Sequence, residues 1–279
     1  MKIIRRITIE YSEEIHRILQ ENKIRVDISK LFGNHKLLHF NIAESHHLWS
    51  ELPSKGFDFK IVSSEETVFN EAEIRSAKWN RMICGFENSY PHIDDIVELG
   101  NYIFEFFCDE CGIGINQQKS YRTKKEVKIG KKHIMSLNDE FEFYTTHEVF
   151  SKMEASGISG YQKLPLILDK TDRPSEVVSQ IFIDTILKPG FVAPEGYRIN
   201  RCPKCGIDKH EYHRRGIMQI SGDVINPEID IAMTHEWFGA GGRQAYREVI
   251  ISQKLTNLIL DMKWKRVKLK PVELVKNSV

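Results

Sequence analysis

The chain lacks an excess of charge of either sign. Forty Lys and Arg stand against 39 Asp and Glu in 279 residues, for a formal net charge of +1. No global electrostatic pull toward nucleic acid or an anionic membrane follows from such a balance. The chain also lacks any apolar run approaching the roughly 18 residues that cross a bilayer. Its first ten residues, Met1 to Glu10, contain no uninterrupted apolar core of signal-peptide length. The expectation is therefore a cytoplasmic protein with no membrane partner. Catalytic signatures are missing as well. The glycine-rich stretch Phe238-Gly239-Ala240-Gly241-Gly242-Arg243 lacks the lysine and hydroxyl of a P-loop and the spacing of a dinucleotide fingerprint, so it reads as a flexible turn. His147-Glu148 and His235-Glu236 are not part of a His-Glu-x-x-His helix, and spacing does not bring Asp139, Glu140, Asp223 and Asp230 together. No triad or nucleophile elbow is present, and the expectation is a protein that is not an enzyme.

Cysteine is scarce, with five in the chain, but four of the five are arranged in pairs. Cys108-Asp109-Glu110-Cys111-Gly112 and Cys202-Pro203-Lys204-Cys205-Gly206 are both Cys-x-x-Cys-Gly turns. In a reducing compartment such pairs read as metal ligands rather than disulfides. The i, i+3 spacing aims both sulfurs of a turn at one ion, and the glycine allows the positive φ that turns backbone N–H groups toward the sulfurs. One zinc ion held by Cys108, Cys111, Cys202 and Cys205 is the expectation. Four thiolates fill a tetrahedron and leave no open position, so this zinc is expected to be structural. Ninety residues separate Cys111 from Cys202; one ion would staple the ends of that insert. A Cys₂His₂ set of Cys202, Cys205, His210 and His213 is the rival, and two unmetallated thiol pairs are the plain alternative. Cys84 reads as a small buried hydrophobe.

Hydropathy patterning predicts a strand over 3–9, a helix from Glu13 capped by Ser12, a strand over 37–42, a helix started by Ser45, and a strand over 57–62. These form a small sheet-and-helix domain over residues 1–65. A second, larger domain covers 66–279. In it a capping box at Asn70 and Glu73 opens a helix through Ile74, Ala77, Trp79 and Met82; a turn follows at Ser89-Tyr90-Pro91, and residues 101–107 read as a strand. The helix over 146–156 is followed by a strand over 164–168, and a helix from Ser252 is followed by a strand over 267–272. The last two pairs superpose at an offset of 106 residues, and the knuckles repeat at an offset of 94. The fold class expected is α+β: a small N-terminal domain followed by a duplicated, zinc-ribbon-containing α+β domain, although chance recurrence of helix–turn–strand units would give a similar pattern.

Glu71-Ala72-Glu73-Ile74-Arg75-Ser76-Ala77, the two knuckles, Glu236-Trp237-Phe238-Gly239-x-Gly241-Gly242, Ile250-Ile251-Ser252-Gln253 and Pro271-Val272 together make the chain resemble the double-CXXCG motif proteins of bacteria, from about residue 70 to residue 275. That resemblance implies a four-cysteine metal site. It also implies a protein-binding role, since some members of the family are immunity proteins that neutralise a cognate toxin. The alternative is a nucleic-acid-binding module that uses the basic segments after the knuckles, with Lys124, Lys125, Lys128, Arg214 and Arg215 as the anion contacts. A solvated loop face is the simpler reading of those cations.

Overall fold

The computed structural model describes residues 1–30, 35–52, 63–85, 87–88, 96–137, 142–239 and 241–276. The chain is mixed α+β, mostly strand, and divides into two compact units. The strand expected over 57–62 and the turn expected at 89–91 lie outside the described residues.

The first unit comprises Met1–Glu73 together with His213–Ile217. Its four strands run Val26–Lys30, Lys36–Ala43, Lys2–Glu10 and Ser63–Val68 across the sheet, each antiparallel to its neighbour. Alternation decides which face is covered. Ile7, Ile9, Leu38, Phe40 and Ile42 point to one side and pack with Leu19 of the helix Glu13–Glu21 and Leu48 of the helix His47–Glu51. Ser12 caps the first helix, its Oγ accepting from the Ile15 N–H at 3.4 Å. The second helix starts at His46 rather than Ser45; the His46 ring accepts from the Leu48 N–H.

The segment 213–217 runs beside Ser63–Val68: the Arg214 carbonyl accepts from the Thr67 N–H at 3.0 Å, and the Gly216 N–H donates to the Thr67 hydroxyl at 2.8 Å. Arg215 and Arg5 share the carboxylates of Glu44 and Glu65 at 2.6–3.1 Å. The two guanidinium groups hold Glu44 well below its ordinary 4.5, at about 2, with the Arg215 hydrogen bonds the larger cause.

The second unit comprises Ile74–Tyr212 and Met218–Val279. A six-stranded sheet has the order Glu87–Asn88, Ile134–Leu137, Phe143–Thr146, Arg173–Phe182, Gln162–Leu168, Arg122–Thr123. An eight-stranded sheet has the order Phe191–Val192, Met218–Ser221, Val267–Val275, Trp79–Cys84, Tyr246–Ser252, Ile231–Phe238, Asp208–His210, Ile199–Arg201. A separate hairpin pairs Phe104–Phe107 with Gly114–Gln117.

Two expectations need correction here. The helix opened by the Asn70–Glu73 capping box ends at Ser76, and Trp79–Cys84 is a strand in the middle of the eight-stranded sheet. Trp79, Asn80, Arg81 and Met82 are all buried; burial on both faces removes the alternation that marks a half-exposed strand and leaves a helical-looking pattern. Residues 101–103 belong to the helix Ile96–Ile103, and only Phe104–Phe107 is strand.

The two larger sheets share a register. In the six-stranded sheet Thr146 lies opposite Val178 and Pro165 opposite Ser179. In the eight-stranded sheet Ser252 lies opposite Trp79 and Pro271 opposite Asn80. Between these strands run the helices His147–Ala155 and Gln253–Asp261, capped alike: the Thr146 hydroxyl accepts from the Val149 N–H and the Ser252 hydroxyl from the Leu255 N–H. Beyond the proline-bearing strand each sheet adds a parallel one, Arg122–Thr123 and Met218–Ser221 respectively. The inserted strands Trp79–Cys84 and Arg173–Phe182 then each leave for the other sheet, where Glu87 pairs in parallel with Ser136 and Ile186 bridges Met233 in parallel. Both capped helices bury their apolar faces in one core, Val149, Phe150 and Met153 from one and Leu255 and Ile259 from the other.

The Glu44 pairing predicts an acid response. A carboxylate held below its unfolded value stabilises the fold above that value, and the contribution fades as pH falls from about 5 toward 2. Glu44→Gln should cost about 1–2 kcal/mol at neutral pH, after allowance for solvent screening, and nothing near pH 2. Urea unfolding midpoints of the two proteins, measured against pH, should converge on acidification.

Candidate metal centre

Each knuckle is delivered by a strand and closed by the same two backbone bonds. The Cys108 N–H donates to the Ile113 carbonyl at 2.9 Å and the Gly112 N–H to the Cys108 carbonyl at 2.7 Å; the Cys202 N–H donates to Ile207 at 3.0 Å and the Gly206 N–H to Cys202 at 2.9 Å. Gly112 and Gly206 have φ of +77° and +72°, the left-handed conformation that the motif's glycine was expected to supply.

The four sulfurs lie within 4.8 Å of one another. Cys108 Sγ is 3.8 Å from Cys202 Sγ, and Cys111 Sγ is 3.7 Å from Cys205 Sγ. Disulfide sulfurs would be bonded at about 2.05 Å. Four sulfurs around a tetrahedral ion at about 2.3 Å stand about 3.8 Å apart. The donor set therefore fits one metal ion, with two ligands from each knuckle. Cys108, Cys111 and Cys202 are buried and pack with Ile113. His210 and His213 are not in this cluster: the His210 ring packs against Phe191 and Phe238, and His213 belongs to the first unit. Cys84 is half-buried at the end of a strand and packs against the main core.

The electrostatics of the site are set by backbone and by one lysine. The N–H groups of Cys205 and Lys204 draw the Cys202 thiol down to about 7, while burial pushes the Cys111 and Cys205 thiols up. Lys209 is buried, and its ammonium donates to the carbonyls of Cys111 (3.2 Å), Gly242 (2.7 Å) and Gln244 (3.1 Å). All three of its protons are thus matched by acceptors. Burial lowers its pKa, and the nearby thiolates oppose that shift. An exposed pair, Lys204 Nζ to Asp109 Oδ1 at 2.6 Å, joins one knuckle to the other.

Lys209 is thus a buried cation rather than a surface one. Nothing in the Cys-x-x-Cys-Gly spacing marks it. Its role follows from the parallel pairing of Lys209 with Trp237 and His210 with Phe238, which carries the glycine-rich stretch toward the first knuckle. Arg243 of that stretch packs closely on the first knuckle: a Cβ on Gly112 would lie 1.7 Å from the Arg243 carbonyl oxygen.

The other expected contacts are placed apart from the sulfurs. Lys124, Lys125 and Lys128 follow the strand Arg122–Thr123; Lys125 and Lys128 are exposed, whereas the neighbouring Thr123, Val127 and Ile129 are buried. Arg214 and Arg215 lie in the first unit, where Arg215 is engaged by Glu44 and Glu65. Of the acids read as a dispersed set, Asp230 accepts from Ser252 Oγ at 2.6 Å and from the Ser159 N–H at 3.0 Å, and Asp139 and Glu140 lie outside the described residues. Glu236 accepts from the N–H groups of Gly190 and Phe191. No family model, curated protein or solved structure matches the chain.

The two knuckle glycines should respond differently to the same change. Gly112→Ala forces a Cβ into the Arg243 carbonyl and should cost more than about 3 kcal/mol. Around Gly206 the nearest atom to such a Cβ is Arg201 Nη2 at 3.9 Å, so Gly206→Ala carries only the left-handed backbone penalty of about 1–2 kcal/mol. Thermal unfolding of the two variants checks the order.

Proposed function

We propose that the four cysteines hold one zinc ion in a closed, structural site, and that the protein acts by binding a protein partner rather than by metal catalysis. The convergence of four sulfurs at the spacing of a tetrahedral thiolate shell carries this reading. Thiolate ligands favour zinc among the common divalent ions, and four of them leave no coordination position for substrate or water. The partner role rests on the resemblance to the double-CXXCG proteins, whose immunity members occlude a cognate toxin. The purified chain is expected to carry one zinc per molecule, and chelation or Cys202→Ser should lower its unfolding temperature markedly, because metal-binding free energy is folding free energy. If a neighbouring gene encodes the cognate toxin, the wild-type chain, but not Cys202→Ser, is expected to rescue growth of cells expressing it. Metal-free protein with undiminished stability would remove the metal reading; rescue by neither protein would remove the partner.

A second proposal concerns origin. The two larger sheets are read as copies of one unit, consisting of an inserted strand, a knuckle, a parallel strand, a hairpin, a capped helix and a proline-bearing strand, with the inserted strands exchanged. Its support is the shared register: Thr146 and Ser252 are 106 residues apart, as are Pro165 and Pro271, while their partners Val178 and Trp79, and Ser179 and Asn80, are 99 apart. Each copy completes the other's sheet. Fragments 1–170 and 171–279, divided at an exposed turn, should therefore each fail to give cooperative unfolding alone and recover it when co-expressed. A first fragment that folds cooperatively by itself counts against the exchange.

A further inference from the structure

Beneath the first knuckle's hairpin the second unit contains a cavity of about 390 Å³, within the roughly 300–1,000 Å³ range of small-molecule sites. Its walls are aromatic and aliphatic, with Phe104, Phe143, Ile183 and Trp237 among them, and its rim includes the exposed Asn116 and Asp184. Four charged residues are among those lining it, Glu142, Asp184, Arg243 and Arg247. The lining is therefore amphipathic and electrically balanced.

Arg247 is the group that calls for a ligand. It is half-buried, lies over the Trp237 ring at 4.3 Å, and uses Nη1 on the carbonyls of Thr234, at 2.8 Å, and His235. Those two bonds position the guanidinium and leave the Nε–Nη2 edge available. Among the described residues no carboxylate is within ion-pair distance of it. A planar guanidinium with one edge open, desolvated on one side by an indole, is suited to a bidentate carboxylate.

We propose that this cavity binds a zwitterionic α-amino acid with a large apolar or aromatic side chain, its carboxylate on the open edge of Arg247, its ammonium toward the lining carboxylates and its side chain against the aromatic wall. A simple anion would meet Glu142 and Asp184 unfavourably, and a simple cation would meet Arg247; a molecule carrying both charges satisfies both. The inference is separate from the metal reading, although the cavity's wall includes Gly112 and Arg243 beside the first knuckle.

Calorimetric titration of the full chain tests it, with L-phenylalanine, L-leucine and L-tryptophan as probes and 3-phenylpropanoate and phenethylamine as analogues lacking the ammonium and the carboxylate. At least one amino acid should bind with a Kd of about 100 μM or tighter, and each truncated analogue should bind about ten-fold or more weakly. Arg247→Gln should remove binding while zinc content is retained; if that variant does not fold, the analogue series decides by itself. No heat from any of the three amino acids at millimolar concentration overturns the proposal, as does equal binding of phenethylamine or of 3-phenylpropanoate. Zinc measured on the same sample separates the two readings: zinc-replete protein that binds no amino acid loses this site only, and amino-acid binding by metal-free protein loses the zinc only.

Discussion

Four sulfur atoms confined within 4.8 Å of one another are the constraint on which the second unit depends. As thiolates at 3.7–3.8 Å each neighbouring pair would repel by about 4 kcal/mol at an effective dielectric near 20. A cation among them reverses the sign. The protein supplies part of the compensation itself, through the N–H groups that draw Cys202 down and through the ammonium of Lys209 nearby. The remainder falls to the metal we propose. Joining Cys108 to Cys202 closes a loop of more than ninety residues, for which cross-linking removes about 4–5 kcal/mol of chain entropy from the unfolded state.

The same closure makes sense of the sheets. Trp79–Cys84 precedes the first knuckle and Arg173–Phe182 precedes the second, and each strand is flanked on both sides by strands from the far end of the other segment. The pairings of Trp79–Cys84 are non-local and entropically expensive to nucleate, whereas Arg173–Phe182 also forms a hairpin with the adjacent Gln162–Leu168. The metal we propose at the knuckles would staple the two segments together. Lys209 and the Gly112–Arg243 contact extend the staple into the hairpin that bears Trp237 and Arg247. Metal site, sheet register and cavity wall are thus mechanically continuous within this unit.

How much of this was legible in the sequence depended on how local the cause was. Ser12 and Ser252 cap their helices through a hydroxyl and an N–H three residues on, and the sequence pattern places them. The knuckles were legible for the same reason: a sulfur pair, a glycine and a spacing are contained in five residues. Trp79–Cys84 was not, because burial on both faces erases the period-two signal, and its neighbours lie more than 160 residues away. The contacts of Lys209 and Arg215 were not legible for a related reason. A basic residue declares its charge in the sequence, but its acceptors, the carbonyls around Gly242 and the carboxylates of Glu44 and Glu65, lie dozens to well over a hundred residues off.

Where the two halves of the second unit differ is as informative as where they agree. In the shared register the place of Arg81 in the eight-stranded sheet is taken by Gln180 in the six-stranded one, since Arg81 lies opposite Ile250 and Gln180 opposite Tyr144. The place of Glu248 is taken by Glu142, 106 residues earlier. Arg81 and Glu248 form a buried ion pair that fills its site and leaves nothing to bind. Gln180 is shorter and uncharged; it exchanges amide bonds with Gln117 at 2.8–2.9 Å, and both it and Glu142 line the cavity. In the duplication we propose, one copy keeps a charge pair in this position, where breaking it would cost about 3–5 kcal/mol, and the other exchanges that packing for space. On that proposal, a buried pair in one copy and an amphipathic hollow in the other would be the asymmetry of a scaffold that retains stability in one half and leaves room for the proposed ligand in the other.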